Sequence, residues 1–245
     1  MAISDDKIAH KTSIRREVDF LSGALILVDK PIGWTSFDVV NKIRFKIKHT
    51  LGVKKIKVGH AGTLDPLATG LLLICTGKLT KEIDTLQIQD KVYSGSIKLG
   101  ETTATYDAEL PPDQYFPTDH ITLDMMQDVA KTFTGEITQI PPVYSAIKID
   151  GKAAYAHARS GKDIEMKARK VTIHTFDINA EQFPEIGFKV ICSKGTYIRS
   201  LAHDFGQSLS SGAHLSSLRR ESIGRYEVKD AYSMDDIVAF IENVE

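Results

Sequence analysis

The residues best placed to do chemistry lie in Gly59-His60-Ala61-Gly62-Thr63-Leu64-Asp65-Pro66-Leu67-Ala68-Thr69-Gly70. Glycine lets a backbone approach a ligand closely, and a proline directly after Asp65 restricts that residue to an extended conformation. The segment therefore presents one carboxylate on a stiffened loop, just ahead of the apolar run Leu71 to Cys75. Such an aspartate can act as nucleophile or base, although loop aspartates in general more often shape turns. Other chemistries lack their residues. There is no Walker loop, no HExxH, no CxxC and no GxGxxG after a strand. Ser200, His203 and Asp204 fall within one helical turn and cannot converge as a triad. The eight histidines show no metal-ligand spacing.

The elements that must hold this loop can be read from hydrophobic period and breakers. Ala24 to Val28 reads as a strand, ended by Lys30-Pro31-Ile32-Gly33. Ser36 reads as the N-cap of a helix whose stripe is Val39, Val40, Ile43 and Ile47. Gly52 ends that helix in a basic loop, and residues 58–70 read as loop throughout. Leu71 to Cys75 is a buried strand, with a helix following to about Leu86. Tyr93 to Leu99 reads as a strand, Gly100 to His120 as mostly loop, and Thr122 caps a helix to Phe133. Val143 to Ile149 reads as a strand, Asp150-Gly151 as a tight turn, and Lys152 to Arg159 as a short helix stopped by Gly161. Strands follow at Lys170 to Asn179 and Phe188 to Ser193, then a helix from Thr196 to Leu209 and a strand from Ile223 to Val228. Ser233 with Asp236 caps a last helix. Strands and helices mix without strict alternation, which predicts an α+β fold.

The chain has 245 residues, enough for a large core, with ordinary globular composition. No apolar run approaches the roughly 20 residues of a membrane helix, and the N-terminus has no secretory pattern. Two cysteines, Cys75 and Cys192, each inside an apolar run, read as buried thiols. Net charge is only −1, yet Lys42 to Lys57 holds seven Lys or Arg and no acid. A second basic stretch runs from Lys148 to Lys170, while acids gather from Glu82 to Asp128 and near the C-terminus. Such asymmetry describes either solvated helix and loop faces or a positive face for a polyanion.

The loop GHAGTLDPLATG resembles the central motif of the TruB family of pseudouridine synthases. Four further segments resemble that family's motifs in order. They are Val28-Asp29-Lys30-Pro31-Ile32-Gly33-Trp34-Thr35-Ser36, then Pro141 to Lys148 with Gly151, Tyr155, Ala158, Arg159 and Gly161. Next come Cys192-Ser193-Lys194-Gly195-Thr196-Tyr197-Ile198-Arg199-Ser200-Leu201, and Ala213-His214-Leu215 with Leu218-Arg219-Arg220. The resemblance covers roughly residues 23–230. It implies a pseudouridine-synthase fold, with a central mixed, mainly antiparallel sheet flanked by helices. It implies isomerisation of uridine-55 in the T-loop of tRNA, with no cofactor and no metal.

Residue by residue, the resemblance places the catalytic carboxylate at Asp65 and its pairing arginine at Arg199. Tyr93 matches the tyrosine that stacks on the flipped base; Tyr197 lines the pocket and Leu215 adds apolar contact. His60 matches a histidine that contacts RNA near the vacated stack. Lys30 and Pro31 match positions that buttress the loop. Lys54, Lys55 and Lys57 are then phosphate contacts along the T-arm. The expected organisation is a loosely held extension over 1–22, a catalytic domain over 23–230, and a C-terminal helix over 231–245 without a full PUA domain. A cytoplasmic monomer with no obligatory protein partner is expected. Three rivals stand beside this: a guide-RNA-dependent synthase subunit, an RNA-binding or tRNA-folding protein with little catalysis, and a glycoside or nucleoside hydrolase using Asp65. The hydrolase needs a second carboxylate, and no partner for Asp65 is evident in the motif segments.

Overall fold

A computed structural model describes residues 3–11, 18–149, 151–161 and 164–243. In chain order its strands are β1 (Ile8–Ala9), β2 (Leu25–Lys30), β3 (Val58–His60), β4 (Ala68–Thr76), β5 (Lys91–Leu99), β6 (Glu101–Thr102), β7 (Gln114–Tyr115), β8 (Gly135–Gln139), β9 (Lys148–Ile149), β10 (Lys152–Ala153), β11 (Arg169–Asn179), β12 (Glu185–Cys192), β13 (Ala213–Ile223) and β14 (Tyr226–Glu227). Its helices are α1 (Ser36–Thr50), α2 (Ile83–Gln87), α3 (Leu123–Thr132), α4 (Ala154–Arg159), α5 (Ile198–Ser208) and α6 (Met234–Glu242). The fold is α+β. The chain forms two compact units, the first of residues 1–93 with 219–245 and the second of residues 94–218.

In the first unit β2 lies antiparallel to β4 in continuous register from Leu25↔Cys75 to Lys30↔Gly70, and β1 joins β2 in parallel. Both faces of this sheet are covered, so β4 reads as an unbroken apolar run rather than an alternation. Ile26, Val28, Leu72 and Ile74 face α1 and α6, meeting Val39, Ile43, Ile47, Ile237 and Ile241. Leu25, Leu27, Leu71, Leu73 and Cys75 face the other way, against Leu86, Ile223 and Tyr226. Within the first 22 residues, Ile8–Ala9 pair with Leu25–Ile26, and Val18 and Phe20 are buried. The described part of that segment is therefore built into the sheet and core rather than frayed.

In the second unit β11 pairs antiparallel with both β12 and β8. Here one face alone is packed. Ile186, Phe188, Val190 and Cys192 of β12 are buried at every second residue. Phe176 on β11 meets Phe133, Phe188 and Phe205 in edge-on aromatic contacts, with centroids 5.5 to 6.4 Å apart. Cys192 and, in the first unit, Cys75 are buried free thiols. Burial pushes the Cys75 thiol up to about 12, so it carries no thiolate chemistry near neutrality.

Several sequence expectations need correction. Thr35, not Ser36, caps α1: its side chain accepts from the Asp38 N–H, and Asp38 returns the bond to the Thr35 N–H. Residues 58–70 are not loop throughout, because β3 pairs with β4 from Val58↔Thr76 to His60↔Ile74. Residues 143–147 form no strand after Pro141-Pro142; Lys148–Ile149 alone pair, with Lys152–Ala153. Asp150 of the turn between them lies outside the described residues. The long strand β13 replaces the short one expected at Ile223. Its sequence AHLSSLRRESI buries Ala213, His214, Leu215, Arg220 and Ile223, a pattern without clean period two.

Candidate active site

Asp65 occupies the turn of the β3–β4 hairpin, half-buried. The residues on either side of it are pinned from three directions, all within the first unit. From α1, the Ser36 hydroxyl accepts from the Leu64 N–H at 2.8 Å and donates to the Leu64 carbonyl at 3.1 Å. This is why Ser36 is buried in the first turn, leaving the capping role to Thr35. From the end of β2, the Lys30 ammonium donates to the carbonyls of Pro31 at 2.9 Å, Trp34 at 2.7 Å and Pro66 at 3.3 Å. The Gly33 N–H adds a second bond to Pro66, at 2.8 Å. From β13, Arg220 donates through Nε to Leu71 at 2.7 Å, through Nη2 to Gly62 at 3.0 Å and through Nη1 to Thr63 at 3.4 Å. Backbone carbonyls need donors, and here two cationic side chains supply them.

Glycine is required where this bracing is tightest. Gly70 has φ +102, and a Cβ there would stand 2.3 Å from the Arg220 carbonyl oxygen. Only glycine lets the β13 backbone come that close.

The same cations set the electrostatics. Lys30 has no exposed surface and Arg220 almost none. Burial lowers the Lys30 pKa to about 8; the Asp65 charge opposes that fall and Arg220 adds to it. The buried Lys30 ammonium and the Asp65 carboxylate thus act on each other through charge. Burial, with Arg220 nearby, also pulls the His60 pKa below its ordinary value, so its imidazole is neutral at pH 7. Arg219, next to Arg220 on β13, closes a two-pronged ion pair with Asp29 at 2.7 and 3.0 Å. Lys54, Lys55 and Lys57 are exposed in the loop between α1 and β3. Tyr93 is buried on β5, at the end of this unit's first segment.

The second unit holds Tyr197, Arg199 and Leu215. Arg199, in the first turn of α5, is 5 % exposed. Its Nη1 donates to the Thr105 carbonyl at 3.2 Å and stands 3.6 Å from an Asp107 carboxylate oxygen. Asp107 is itself buried, and its carbonyl accepts from the Thr103 and Thr105 hydroxyls. Between them Tyr106 adopts φ +61, and its ring stacks on His203 at 3.9 Å. Such a backbone is unfavourable for a large side chain and survives where surroundings enforce it. Leu215 is buried; its N–H donates to the Tyr106 carbonyl at 3.0 Å, tying β13 to this segment. Tyr197 is gripped through its backbone by Gln139, which donates at 3.0 Å and accepts at 2.7 Å. The Arg169 guanidinium lies 4.5 Å from the Tyr197 ring centre.

Sequence reasoning named Lys30, His60, Asp65, Tyr197 and Arg199, but missed Asp107, Gln139 and the role of Arg220. Asp107 sat in a stretch read as an acidic loop. Its one local signal was the Thr-x-Thr-x-Asp pattern, since hydroxyls near an aspartate often fold back on the backbone. Ser200, dismissed as a triad member, donates to the Ile140 carbonyl at 2.7 Å.

The architecture is shared with solved structures. A chain of the crystal structure of a Cbf5-Nop10-Gar1 complex superposes with a TM-score of 0.67 at 30% identity, covering 90% of this chain and 54% of that one. This chain therefore spans about half the length of that neighbour. The family profile described as TruB family pseudouridylate synthase (N terminal domain) matches residues 48–198. The profile described as tRNA pseudouridylate synthase B C-terminal domain matches residues 199–245. The tRNA pseudouridine synthase B of Flavobacterium johnsoniae is 54% identical over 228 residues, which are 93% of this chain and 98% of that protein. That of Parabacteroides distasonis is 50% identical over 225 residues, 92% of this chain and 96% of that protein. The fold is that of a pseudouridine synthase. The chain belongs to the TruB family.

Proposed function

We propose that this chain converts uridine-55 in the T-loop of tRNA to pseudouridine, with Asp65 as the catalytic carboxylate. One observation carries the reading: Asp65 is the carboxylate of a hairpin turn fixed by Ser36, Lys30 and Arg220, with both cations buried. Fixing a reactive group in place removes the entropy of finding it.

The reaction is an isomerisation. The N1–C1′ bond of the uridine breaks, the uracil turns, and C5 bonds to C1′. The C5 proton is lost and N1 gains one, so no electrons are transferred and no cofactor is called for. Asp65 can attack C1′, add to C6, or remove the C2′ proton. A uridine stacked in a folded loop must first be extruded. Tyr93 and Tyr197 are assigned to the extruded base, Leu215 to apolar contact and His60, in neutral form, to the vacated stack. Arg199 is assigned to the charge balance of the carboxylate. Lys54, Lys55 and Lys57 are assigned to T-arm phosphates. No described helix is long and apolar enough to cross a membrane, and we take the enzyme to work as a monomer in the cytoplasm.

The test is tritium release from tRNA labelled at C5 of uridine, with mapping of the modified site. Wild type releases tritium at the T-loop uridine, and Asp65→Asn binds tRNA but releases none. Wild-type turnover by Asp65→Asn would remove the assignment of Asp65. Binding without release by wild type would leave an RNA-binding or tRNA-folding protein.

A further inference from the structure

Helix α1 starts at the Asp65 loop, fixed there by the Ser36–Leu64 bonds, and its solvent side is unusual. Its inner stripe is the buried set Ser36, Val39, Val40, Ile43 and Ile47. Its outer half carries Phe37 and Phe45, which are 60% and 67% exposed. Eight residues apart, they stand about 12 Å from each other along the axis. The Phe45 and His49 rings lie near parallel, with centroids 6.3 Å apart. Lys42 and Lys48, both exposed, lie on the same half. Asp38, the one acid on the helix, is occupied by the Thr35 cap.

The apolar exposure continues to the loop itself. Ile32 is 65% exposed, in the turn whose Gly33 N–H bonds Pro66, and Leu67 is 38% exposed. Large apolar side chains exposed along one half of a helix and the turn beside it are available to a binding partner. Interleaved with lysines and running out from the carboxylate loop, this surface complements a polyanion whose bases are unstacked. Aromatic faces take bases of any identity, while lysines neutralise the phosphates between them.

We propose that the outer face of α1 is a second RNA-contact surface, on which Phe37 and Phe45 stack unpaired nucleotides of the tRNA that Asp65 acts on, with Lys42 and Lys48 on the flanking phosphates. The proposal rests on the reading that tRNA is the substrate. A continuous A-form duplex would not fill this surface, because its bases are stacked inside and offer no face to a phenyl ring.

The experiment measures full-length tRNA affinity at several salt concentrations for wild type, the double variant Phe37→Ala/Phe45→Ala, and Tyr115→Ala. Tyr115 is an exposed aromatic of the second unit and serves as the control for loss of any surface ring. The double variant is expected to bind roughly tenfold more weakly, with the salt slope of wild type, since no phosphate contact is lost. Tyr115→Ala is expected to bind as wild type. Affinity within twofold of wild type in the double variant would overturn the proposal, as would an equal loss in Tyr115→Ala. So would unchanged RNA affinity with an altered sedimentation coefficient, which would make this face a contact between copies of the chain. Tritium release by wild type from the same tRNA reports separately on the isomerase. Its absence would end that reading without producing the affinity difference predicted here.

Discussion

Lys30→Met separates the charge of the loop brace from its shape. Lys30 has no exposed surface, and burial is the main cause of its low pKa. A fall from 10.5 to about 8 means that the folded state holds the protonated ammonium about 3 kcal/mol less well than the unfolded chain does. The sign follows from proton counts. Between pH 8 and 10.5 the unfolded chain binds more protons, so stability rises with pH across that window. From pH 7.5 to 9.5 this one group returns about 2 kcal/mol. Methionine fills a similar volume without the charge, so that rise disappears. At pH 7.5 the variant loses donors to the carbonyls of Pro31, Trp34 and Pro66, although Pro66 keeps the Gly33 N–H. Each acceptor left bare costs about 1–3 kcal/mol, which largely offsets the relief of the buried charge. The informative quantity is therefore the change with pH, not the stability at one pH. Urea unfolding followed by the fluorescence of Trp34, the sole tryptophan, at pH 7.5 and 9.5 measures it for both proteins. Groups common to the two proteins cancel in the comparison. Equal pH dependence in wild type and Lys30→Met would refute the account of Lys30 as a desolvated cation.

Other outcomes follow from the same geometry. Gly70→Ala places a Cβ 2.3 Å from the Arg220 carbonyl at φ +102, so it should destabilise the protein by roughly 3 kcal/mol or more. An unchanged urea midpoint would contradict the close approach of β13 to β4. Burial raises the Asp204 carboxyl to about 6, so the folded state holds the proton better than the unfolded chain and stability falls as pH rises from about 4 to 6. Asp204→Asn should therefore stabilise at pH 7, by up to about 3 kcal/mol, with the gain vanishing below pH 4; thermal melts at both pH values decide it. Replacing Lys54, Lys55 and Lys57 together by alanine should reduce the slope of log affinity for tRNA against log salt by roughly 2–3. An unchanged slope would take those lysines off the RNA path.

What the sequence determined by itself was local or was carried by motif. The stripe Val39, Val40, Ile43 and Ile47 specified which side of α1 is buried, because helical period and burial agree. The segment from Gly59 to Gly70 marked Asp65 through its glycines and its proline, and four more motifs supplied the family. The capping position went wrong by one residue because two hydroxyls, Thr35 and Ser36, stand side by side. Either could cap a helix. Only the presence of Leu64, 28 residues on, decided that Ser36 turns inward and Thr35 caps. Strand β13 was missed for a related reason. Its burial serves Arg220 as much as any apolar side chain, and a buried arginine looks in sequence like a surface one. What makes its burial tolerable is a set of carbonyls at Gly62, Thr63 and Leu71, some 150 residues away along the chain. Asp107 likewise came to stand beside Arg199 only through the fold. Hydrophobic period and turn chemistry act over a few residues, so they are legible in a string of letters. The pairing of buried charge with its partners acts through space in a medium of low dielectric, and only the tertiary structure decides which partners those are.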